Sequence, residues 1–308
     1  MKKFGIVIVI ILLCFALFYS KDLLVPGKTF NEANDKSIQK SISLIQDKRT
    51  QEYDNIYSKH MIMVDLNSRR IISEKEENEK TYPASLTKIM TAIVAIENIS
   101  DLNEKIPVSQ SIFDSLKGSD ASMAGFLPGE KVPAVDLVYG TLLPSGAEAA
   151  SALALYCAGS EEKFTGLMNE KAKALGMNNT HFTNVSGLSD PNHYTTVKDM
   201  AILLDYALQN DTFYKAFTAK KYSTSQTNKH PDGITFYSTM FQNLKNSDLE
   251  DGKILGGKTG FTSEAGLCLA SLAEKEGKKY ILVTTGARGD HQTKQFNIID
   301  AFNIYNKY

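Results

Sequence analysis

The stretch YPASLTKIMTA, residues 82–92, decides the fold of this chain of 308 residues. Pro83 suits the approach to a helix, and apolar residues recur at helical spacing after Ser85. The pattern predicts a helix that runs to about Ile99 and buries one face. Lys88 follows Ser85 by three residues, so both side chains lie on the same face of the first turn. The stretch therefore places a hydroxyl beside an amine at the start of a buried helix.

This pair has the chemistry of a nucleophile and its base. A serine hydroxyl attacks a carbonyl only when a neighbouring base takes its proton. A lysine can act as that base only when neutral, so its pKa must fall from ~10.4 by roughly 3, which corresponds to about 4 kcal/mol. A helix dipole supplies at most ~1–2 kcal/mol of that. We therefore expect burial and a second cation to lower the pKa of Lys88 further.

The spacing Ser-x-x-Lys is weak support by itself, because it occurs three times: Ser37/Lys40, Ser85/Lys88 and Ser160/Lys163. Two further motifs strengthen the case for the second pair, Ser145-Gly-Ala147 and Lys258-Thr-Gly260. In Lys-Thr-Gly on a strand, the lysine and the threonine hydroxyl can point at a ligand carboxylate, and glycine lets the backbone approach closely. Three motifs in this order are typical of penicillin-binding proteins and class A β-lactamases.

The sequence around these motifs closely resembles the serine D-alanyl-D-alanine carboxypeptidases, the low-molecular-mass penicillin-binding proteins. The matching stretches are residues 82–91, 142–146, 181–188, 199–202 and 256–266. The resemblance implies an α+β fold of the penicillin-binding protein/β-lactamase type. In this fold an antiparallel sheet is flanked by helices, and the active site lies between the sheet and an all-helical subdomain. It also implies an acyl-enzyme that releases the terminal D-alanine of peptidoglycan stem pentapeptides and is inhibited by β-lactams. No cofactor is implied.

The same resemblance assigns the catalytic residues. Ser85 is the nucleophile, Lys88 is its base, and Ser145 relays a proton to the leaving amine. The second motif usually reads Ser-x-Asn, but Ala147 stands where the asparagine is expected. This departure removes one amide contact to the substrate and to the lysines. Candidate substitutes for the amide are Asn98 and Asn184.

Substrate binding is assigned to the third motif. By resemblance, Lys258 and Thr259 hold the terminal carboxylate of the substrate, beside Gly260. Backbone N–H groups of Ser85 and Phe261 form the oxyanion hole. Lys258 is also the second cation expected near the base. Arg288 is either a further contact to the carboxylate or an ordinary surface arginine.

Three other functions are alternatives to this one. Loss of the asparagine could leave a catalytically weak module that binds peptidoglycan or β-lactams. A β-lactamase of class A deacylates with a glutamate that acts through water, and no glutamate between the second and third motifs has such a context: Glu148, Glu161, Glu162, Glu170 and Glu250. Slow deacylation of penicillin is therefore expected. A zinc peptidase is disfavoured because the five histidines form no H-E-x-x-H motif, and we expect no metal site.

The N-terminus has the pattern of a targeting segment. Two lysines precede an unbroken apolar run at residues 4–19, and small residues suited to cleavage are poorly placed after it. We expect residues 1–20 to be an uncleaved membrane anchor, with a cleaved signal as the close alternative. A polar spacer, 21–56, in which Ile38, Ile42 and Ile45 mark a candidate short helix, then leads to a D,D-peptidase domain, 57–308. That domain is expected outside the cell membrane.

The order of elements also predicts an α+β fold. A hairpin is expected at residues 61–72, and three strands at 254–260, 267–273 and 280–285. A helical middle separates them, so the two ends of the domain should share one sheet. Residues 211–252 are mixed and polar, and no elements are assigned there. The net charge of −1 gives no electrostatic basis for binding nucleic acid.

Overall fold

A computed structural model of the chain describes residues 56–244 and 246–308, together with the backbone of residues 45–46. The strands are β1 (Ile45–Gln46), β2 (His60–Asp65), β3 (Arg70–Lys75), β4 (Lys105–Val108), β5 (Glu130–Pro133), β6 (Lys221–Ser223), β7 (Thr235–Tyr237), β8 (Asp248–Leu249), β9 (Gly252–Thr262), β10 (Gly266–Lys275) and β11 (Lys278–Ala287). The helices are α1 (Thr87–Asn98), α2 (Gln110–Leu116), α3 (Ala134–Leu142), α4 (Ala147–Ala158), α5 (Glu161–Ala174), α6 (Val197–Ala207), α7 (Asp211–Thr218), α8 (Thr239–Gln242) and α9 (Phe296–Lys307). A 3-10 turn, Ala84–Leu86, leads directly into α1.

One sheet joins the two ends of the catalytic region. Its strand order is β1-β3-β2-β11-β10-β9-β8, and the neighbouring pairs from β3 to β8 run antiparallel. The early hairpin pairs with the late strands through β2 and β11, where Met63 lies opposite Leu282. Asp300 of α9 strengthens this closure, because it accepts hydrogen bonds from the backbone N–H groups of Tyr57 and Ser58 at 2.9 and 2.8 Å. The predicted α+β fold with shared ends is confirmed.

Helices cover both faces of the sheet. Successive side chains of a strand point to opposite faces, and Met61 and Met63 of β2 join a buried cluster with Ile304 and Tyr305 of α9. On the other face, α6 packs against β2 and β11. The sheet is therefore an interior layer, and the strand β9 that carries the third motif lies inside the domain.

Helix α1 lies at the centre of the helical layer. It packs against α3, α4, α5 and α6, and every residue from Thr87 to Ile96 is buried. The apolar spacing predicted only one buried face. The difference arises because helices surround α1, so its polar members Thr87, Lys88 and Thr91 are enclosed as well.

The predicted N-terminal anchor, residues 1–20, and most of the predicted spacer are not among the residues that the structure describes. Within the spacer, Ile45 belongs to β1 rather than to the short helix considered for it. In the described part of the chain, no helix is both long and apolar enough to cross a membrane. The unassigned stretch 211–252 contains α7, the β6–β7 ribbon, α8 and β8, all of them short.

Two chain segments meet tightly at the turn before α1. Gly187 has φ +87°, and a β-carbon added there would lie 1.8 Å from the carbonyl oxygen of Ala84. Ala84 itself has φ +47°, a conformation that costs a non-glycine residue on the order of 1 kcal/mol or more. The contact therefore fixes the backbone on which Ser85 stands, and only glycine fits at position 187.

Gly187→Ala should lower the free energy of unfolding by at least about 2 kcal/mol, because it adds strain at positive φ and a clash with the chain before α1. Gly166→Ala is the matched control, since Gly166 lies within α5 and an added β-carbon meets nothing within 4 Å. The control should be neutral or more stable by up to ~1 kcal/mol. Urea unfolding of both variants measures the difference, and equal free energies would refute the role given to Gly187.

Candidate active site

The structure brings the first Ser-x-x-Lys pair of the domain into contact. The Nζ atom of Lys88 lies 3.1 Å from Oγ of Ser85 and donates a hydrogen bond to the carbonyl oxygen of Ser186 at 2.6 Å. Ser85 lies in the 3-10 turn, and Lys88 in the first turn of α1. Three residues of separation thus place the hydroxyl and the amine side by side, as the sequence predicts.

Burial makes the Lys88 amine a base near neutral pH. Lys88 is 2% exposed, and burial lowers its pKa from 10.5 to about 7, while the negative charge of Glu148 opposes the change. Burial is also the larger reason that the pKa of Lys258 lies well below 10.5, and repulsion from Lys88 adds to it. The expectation that a second cation is needed beside Lys88 is thus corrected, because burial is the main cause.

The second and third motifs meet through Lys258. Its Nζ donates to Oγ of Ser145 at 2.9 Å and to the carbonyl oxygen of Thr259 at 2.7 Å. Ser145 is 4% exposed and has φ +67°, so the sharp backbone turn before α4 presents its hydroxyl to the lysine. Lys258 is 1% exposed. The contact joins the helical layer to strand β9.

Strand β9 runs very close to the turn that carries the nucleophile. A β-carbon added at Gly260 would lie 3.0 Å from the backbone nitrogen of Ser85, which explains why glycine follows the lysine and threonine of this motif. The hydroxyl of Thr259 bonds that of Thr239 at 2.7 Å. Phe261 follows Gly260, and its ring centroid lies 5.0 Å from that of His291, with the two rings edge to face.

A cavity of about 910 Å³ opens over these groups. The predicted site residues in its wall are Ser85, Lys88, Ser145, Thr259, Gly260 and Phe261. Residues 118–122 and 186–189 form two further parts of the wall, and His291 and Gln295 lie near its rim. The cavity is large enough for an extended peptide rather than a single amino acid.

The missing asparagine is not replaced by either candidate. Ala147 is fully buried at the start of α4. The amide nitrogen of Asn98 donates to the carbonyl oxygen of Val94, and that of Asn184 donates to the carbonyl oxygen of Leu188. Asn184 has a different task, because its side-chain oxygen accepts from the backbone N–H groups within its own loop and so shapes the segment that bonds Lys88.

Of the two roles expected for Arg288, the structure favours that of a surface arginine over that of a contact to the substrate carboxylate. Its guanidinium lies 5.1 Å from the ring centroid of Tyr57 and 4.8 Å from that of Phe296, and its side chain is exposed. Stacking on two rings suits a guanidinium, and Arg288 is not among the described residues that line the cavity. His291 lies in the cavity wall, with its ring against that of Phe261.

Three groups at the site escaped prediction. The carbonyl of Ser186 accepts from the Lys88 amine, the hydroxyl of Thr239 bonds that of Thr259, and Glu148 is buried in the first turn of the helix after Ser145. Ser186 lies within residues 181–188, which resemble the family, so the sequence indicated that this loop belongs to the site. Thr239 lies in the unassigned stretch, and Glu148 has the sequence context of an ordinary helix N-terminus, where acidic residues are common.

With this geometry in view, the comparison with known families is decisive. The model of the D-alanyl-D-alanine carboxypeptidase family, peptidase family S11, matches residues 46–289. The chain belongs to this family. Family S11 relatives include the carboxypeptidase DacF of Bacillus subtilis, 34% identical over 254 residues that cover 78% of this chain and 60% of DacF. DacC of Escherichia coli is 33% identical over 79% of this chain and 60% of its own length.

The solved structures agree with this family S11 fold. The DD-transpeptidase of Streptomyces K15 aligns with a TM-score of 0.73 at 26% identity, over 83% of this chain and 98% of the other. A carboxypeptidase of Mycobacterium tuberculosis aligns with a TM-score of 0.70 at 23% identity, over 85% of this chain and 96% of its own, which shows the shared fold. The chain spans about 60% of the length of the two curated relatives named above.

The rate of acylation by penicillin should rise with pH through about 7. Lys88 accepts the proton of Ser85 only when neutral, and its pKa is about 7, so below that value the rate should fall roughly tenfold per pH unit. Stopped-flow acylation between pH 5.5 and 9 measures this limb. Lys88→Arg is the control, because arginine stays charged and should abolish the reaction. A limb centred above pH 9 would contradict the assignment.

Proposed function

We propose that the chain is a serine D-alanyl-D-alanine carboxypeptidase that trims peptidoglycan stem pentapeptides. The observation that carries this proposal is the 3.1 Å contact between Oγ of Ser85 and the amine of Lys88, whose pKa is about 7. The cavity above them and the membership of family S11 support it.

Acylation begins when Oγ of Ser85 attacks the carbonyl carbon of the terminal peptide bond and passes its proton to Nζ of Lys88. The bond to the nitrogen of D-alanine then breaks. Ser145 gives its hydroxyl proton to that nitrogen and recovers one from the buried lysine pair, Lys88 and Lys258. D-alanine leaves with a neutral or protonated amine rather than as an unstable anion, and the remaining peptide is an ester of Ser85.

Deacylation reverses the proton path. A water molecule gives a proton to Lys88 as its oxygen attacks the ester carbonyl, and the proton then returns to Oγ of Ser85 as the bond to serine breaks. In both steps the backbone N–H groups of Ser85 and Phe261 are proposed to stabilise the oxyanion. The close approach of β9 at Gly260 supports this pairing, because it brings the two backbones together.

The terminal carboxylate is proposed to bind at the Lys-Thr-Gly motif. Thr259 lies in the cavity wall beside Thr239, so two hydroxyl groups face the same region. Lys258 lies just behind them and already bonds two protein oxygens. Its contribution to the substrate is therefore electrostatic attraction with one remaining N–H, whereas the threonine hydroxyl groups supply direct contacts.

A second candidate function is a weakly catalytic module that binds peptidoglycan or β-lactams. Ala147 favours it, since the amides of Asn98 and Asn184 are engaged elsewhere. A missing amide contact typically costs ~1 kcal/mol, up to ~3 beside a charge, which slows a reaction roughly 5- to 150-fold. That loss is smaller than the effect of losing a nucleophile, so we favour an active enzyme. A serine β-lactamase is the less favoured third alternative.

Benzylpenicillin should add its full mass to Ser85 and remain attached for many minutes. The long lifetime is expected because no glutamate between the second and third motifs has the sequence context of the class A deacylating residue. Intact-mass spectrometry of the wild type and of Ser85→Ala measures the adduct. Ser160→Ala is the matched control, because Ser160 also starts a Ser-x-x-Lys sequence but caps α5. An adduct on Ser85→Ala would contradict the nucleophile, and rapid turnover of the drug would favour a β-lactamase.

The enzyme should release D-alanine from peptides that end in D-Ala–D-Ala and cleave the matching C-terminal amides at least tenfold more slowly, because the amides lack the charge. Lys258→Ala should lose more of this preference than Lys258→Arg, which keeps the charge. The readout is free D-alanine from both peptides. Equal cleavage of acid and amide by the wild type would refute carboxylate recognition. Release by Ala147→Asn but not by the wild type would favour the binding module.

We further propose that the enzyme acts on the outer side of the cell membrane, tethered by its N-terminal segment. The two lysines followed by the apolar run at residues 4–19 support this location. Fractionation of cells that express the full chain should find it in membranes and accessible to external protease. Mature protein that begins near Ser20 and is free in the medium would contradict the tether.

A further inference from the structure

Glu148 is a fully buried carboxylate three residues after Ser145. Its Oε1 atom accepts hydrogen bonds from the backbone N–H groups of Ala124, Gly125 and Phe126 at 2.7, 2.8 and 3.3 Å. Its Oε2 atom is buried as well and has no hydrogen-bond partner among the described residues. A half-satisfied buried carboxylate is costly: burial raises the pKa of the Glu148 carboxyl, and the three backbone N–H groups oppose that rise.

The three N–H groups belong to the segment that forms one wall of the cavity. Residues 118–122 line the cavity, and residues 120–127 contain no helix or strand. The segment is therefore held by contacts rather than by regular structure. Besides Glu148, the backbone N–H of Ala147 donates to the carbonyl oxygen of Ser122 at 2.8 Å, and Gly146 lies so close that an added β-carbon would be 2.6 Å from that of Ala124. The first turn of α4 thus fixes the wall.

Glu148 also lies on a helix, α4, that packs against α1, the helix of the base. The negative charge of Glu148 raises the pKa of Lys88 against the effect of burial. The other buried charges near α1 have partners of their own. Lys171 of α5 pairs with Glu97 at the far end of α1, at 2.7 Å.

Other titratable groups on the elements packed against α1 also have partners elsewhere: Asp136 of α3 accepts from the hydroxyl of Tyr222 at 2.6 Å and from the backbone N–H of Ser225 at 2.9 Å. His193 bonds the hydroxyl of Thr87 at 2.8 Å. On α6, Asp199 accepts from the hydroxyl of Thr180 at 2.7 Å, and Asp205 lies 3.7 Å from the guanidinium of Arg69. Glu148 is therefore the negative charge that acts on the base.

We propose that Glu148 is a positioning residue of the proposed peptidase with two roles. Its Oε1 atom holds the wall segment, residues 118–126, and its negative charge acts on the amine of Lys88. The inference rests on the proposed function, since it concerns the same site. A negative charge favours the protonated form of a neighbouring amine. The charge of Glu148 thereby helps Lys88 to hold the proton taken from Ser85 until that proton is passed on. The cost is that a smaller fraction of Lys88 is neutral at low pH.

The test is the pH profile of acylation by a fluorescent penicillin in the full chain. Glu148→Gln keeps the size and an acceptor oxygen but removes the charge, so Lys88 should be neutral at lower pH than in the wild type. The acid limb should move to lower pH, and near pH 6.5 the rate, relative to the same variant at pH 9, should exceed that of the wild type by about threefold or more. Glu148→Asp keeps the charge and should leave the limb in place while lowering the rate. Glu162→Gln, an exposed change on α5, is the control.

The outcomes separate this inference from the function on which it rests. If the wild type is not acylated at Ser85, the proposed function fails. If it is acylated and the limb of Glu148→Gln coincides with that of the wild type, the inference fails alone, because a purely structural residue would change the rate equally at every pH. If Glu148→Gln does not fold by circular dichroism, the neutral Glu148→Asn is compared with the charged Glu148→Asp. A limb that lies at lower pH in Glu148→Asn supports the charge, and coinciding limbs overturn it.

Discussion

The burial of the Lys88 amine is the constraint on which the rest of the site depends. A buried ammonium ion costs several kcal/mol in effective desolvation, and a lysine escapes that cost by losing its proton. The same loss makes it a base. Helix α1 achieves this because helices surround it on all sides, while Ser85 and the carbonyl of Ser186 provide the polar contacts that a buried amine still requires.

This arrangement needs three regions of the chain that are far apart in sequence. The turn before α1 carries Ser85, the turn before α4 carries Ser145, and β9 carries Lys258. They approach closely only because the backbone is unusual where they meet, with positive φ at Ala84 and Ser145 and with glycine at the narrowest contacts. Backbone strain of this kind persists only where surrounding structure enforces it. Chemistry at the site is thus inseparable from the correct docking of the sheet on the helical layer.

The sequence predicted the parts of this architecture that depend on spacing and periodicity. The contact between Ser85 and Lys88 follows from helical geometry, and the sharing of one sheet by both ends follows from the order of strands. Burial on the far side of α1 could not be read from its sequence, because it depends on the neighbouring helices. Arg288 could not be placed either, since its stacking on Tyr57 and Phe296 is a tertiary contact. The short elements after α6 carry too few residues for a periodic signal.

The causes that set the pKa of Lys88 were likewise only partly predictable from the sequence. The sequence argument expected burial and a second cation to lower the pKa of Lys88 together, whereas the structure gives burial as the cause and places the opposing charge of Glu148 on the helix that follows Ser145. That glutamate resembled any acidic residue in a first helical turn. Its burial and its bonds to residues 124–126 became visible only once the irregular wall of the cavity was in place.

The central claim is that Lys88 is a neutral amine at the pH of its reaction because the fold buries it. The most direct measurement is an NMR titration of the full chain labelled with carbon-13 at the lysine ε-carbons, with the Lys88 resonance identified by its loss in Lys88→Arg. The account predicts that this resonance titrates near pH 7, about three pH units below the exposed lysines. A Lys88 resonance that stays in its ammonium form up to pH 10 would contradict it.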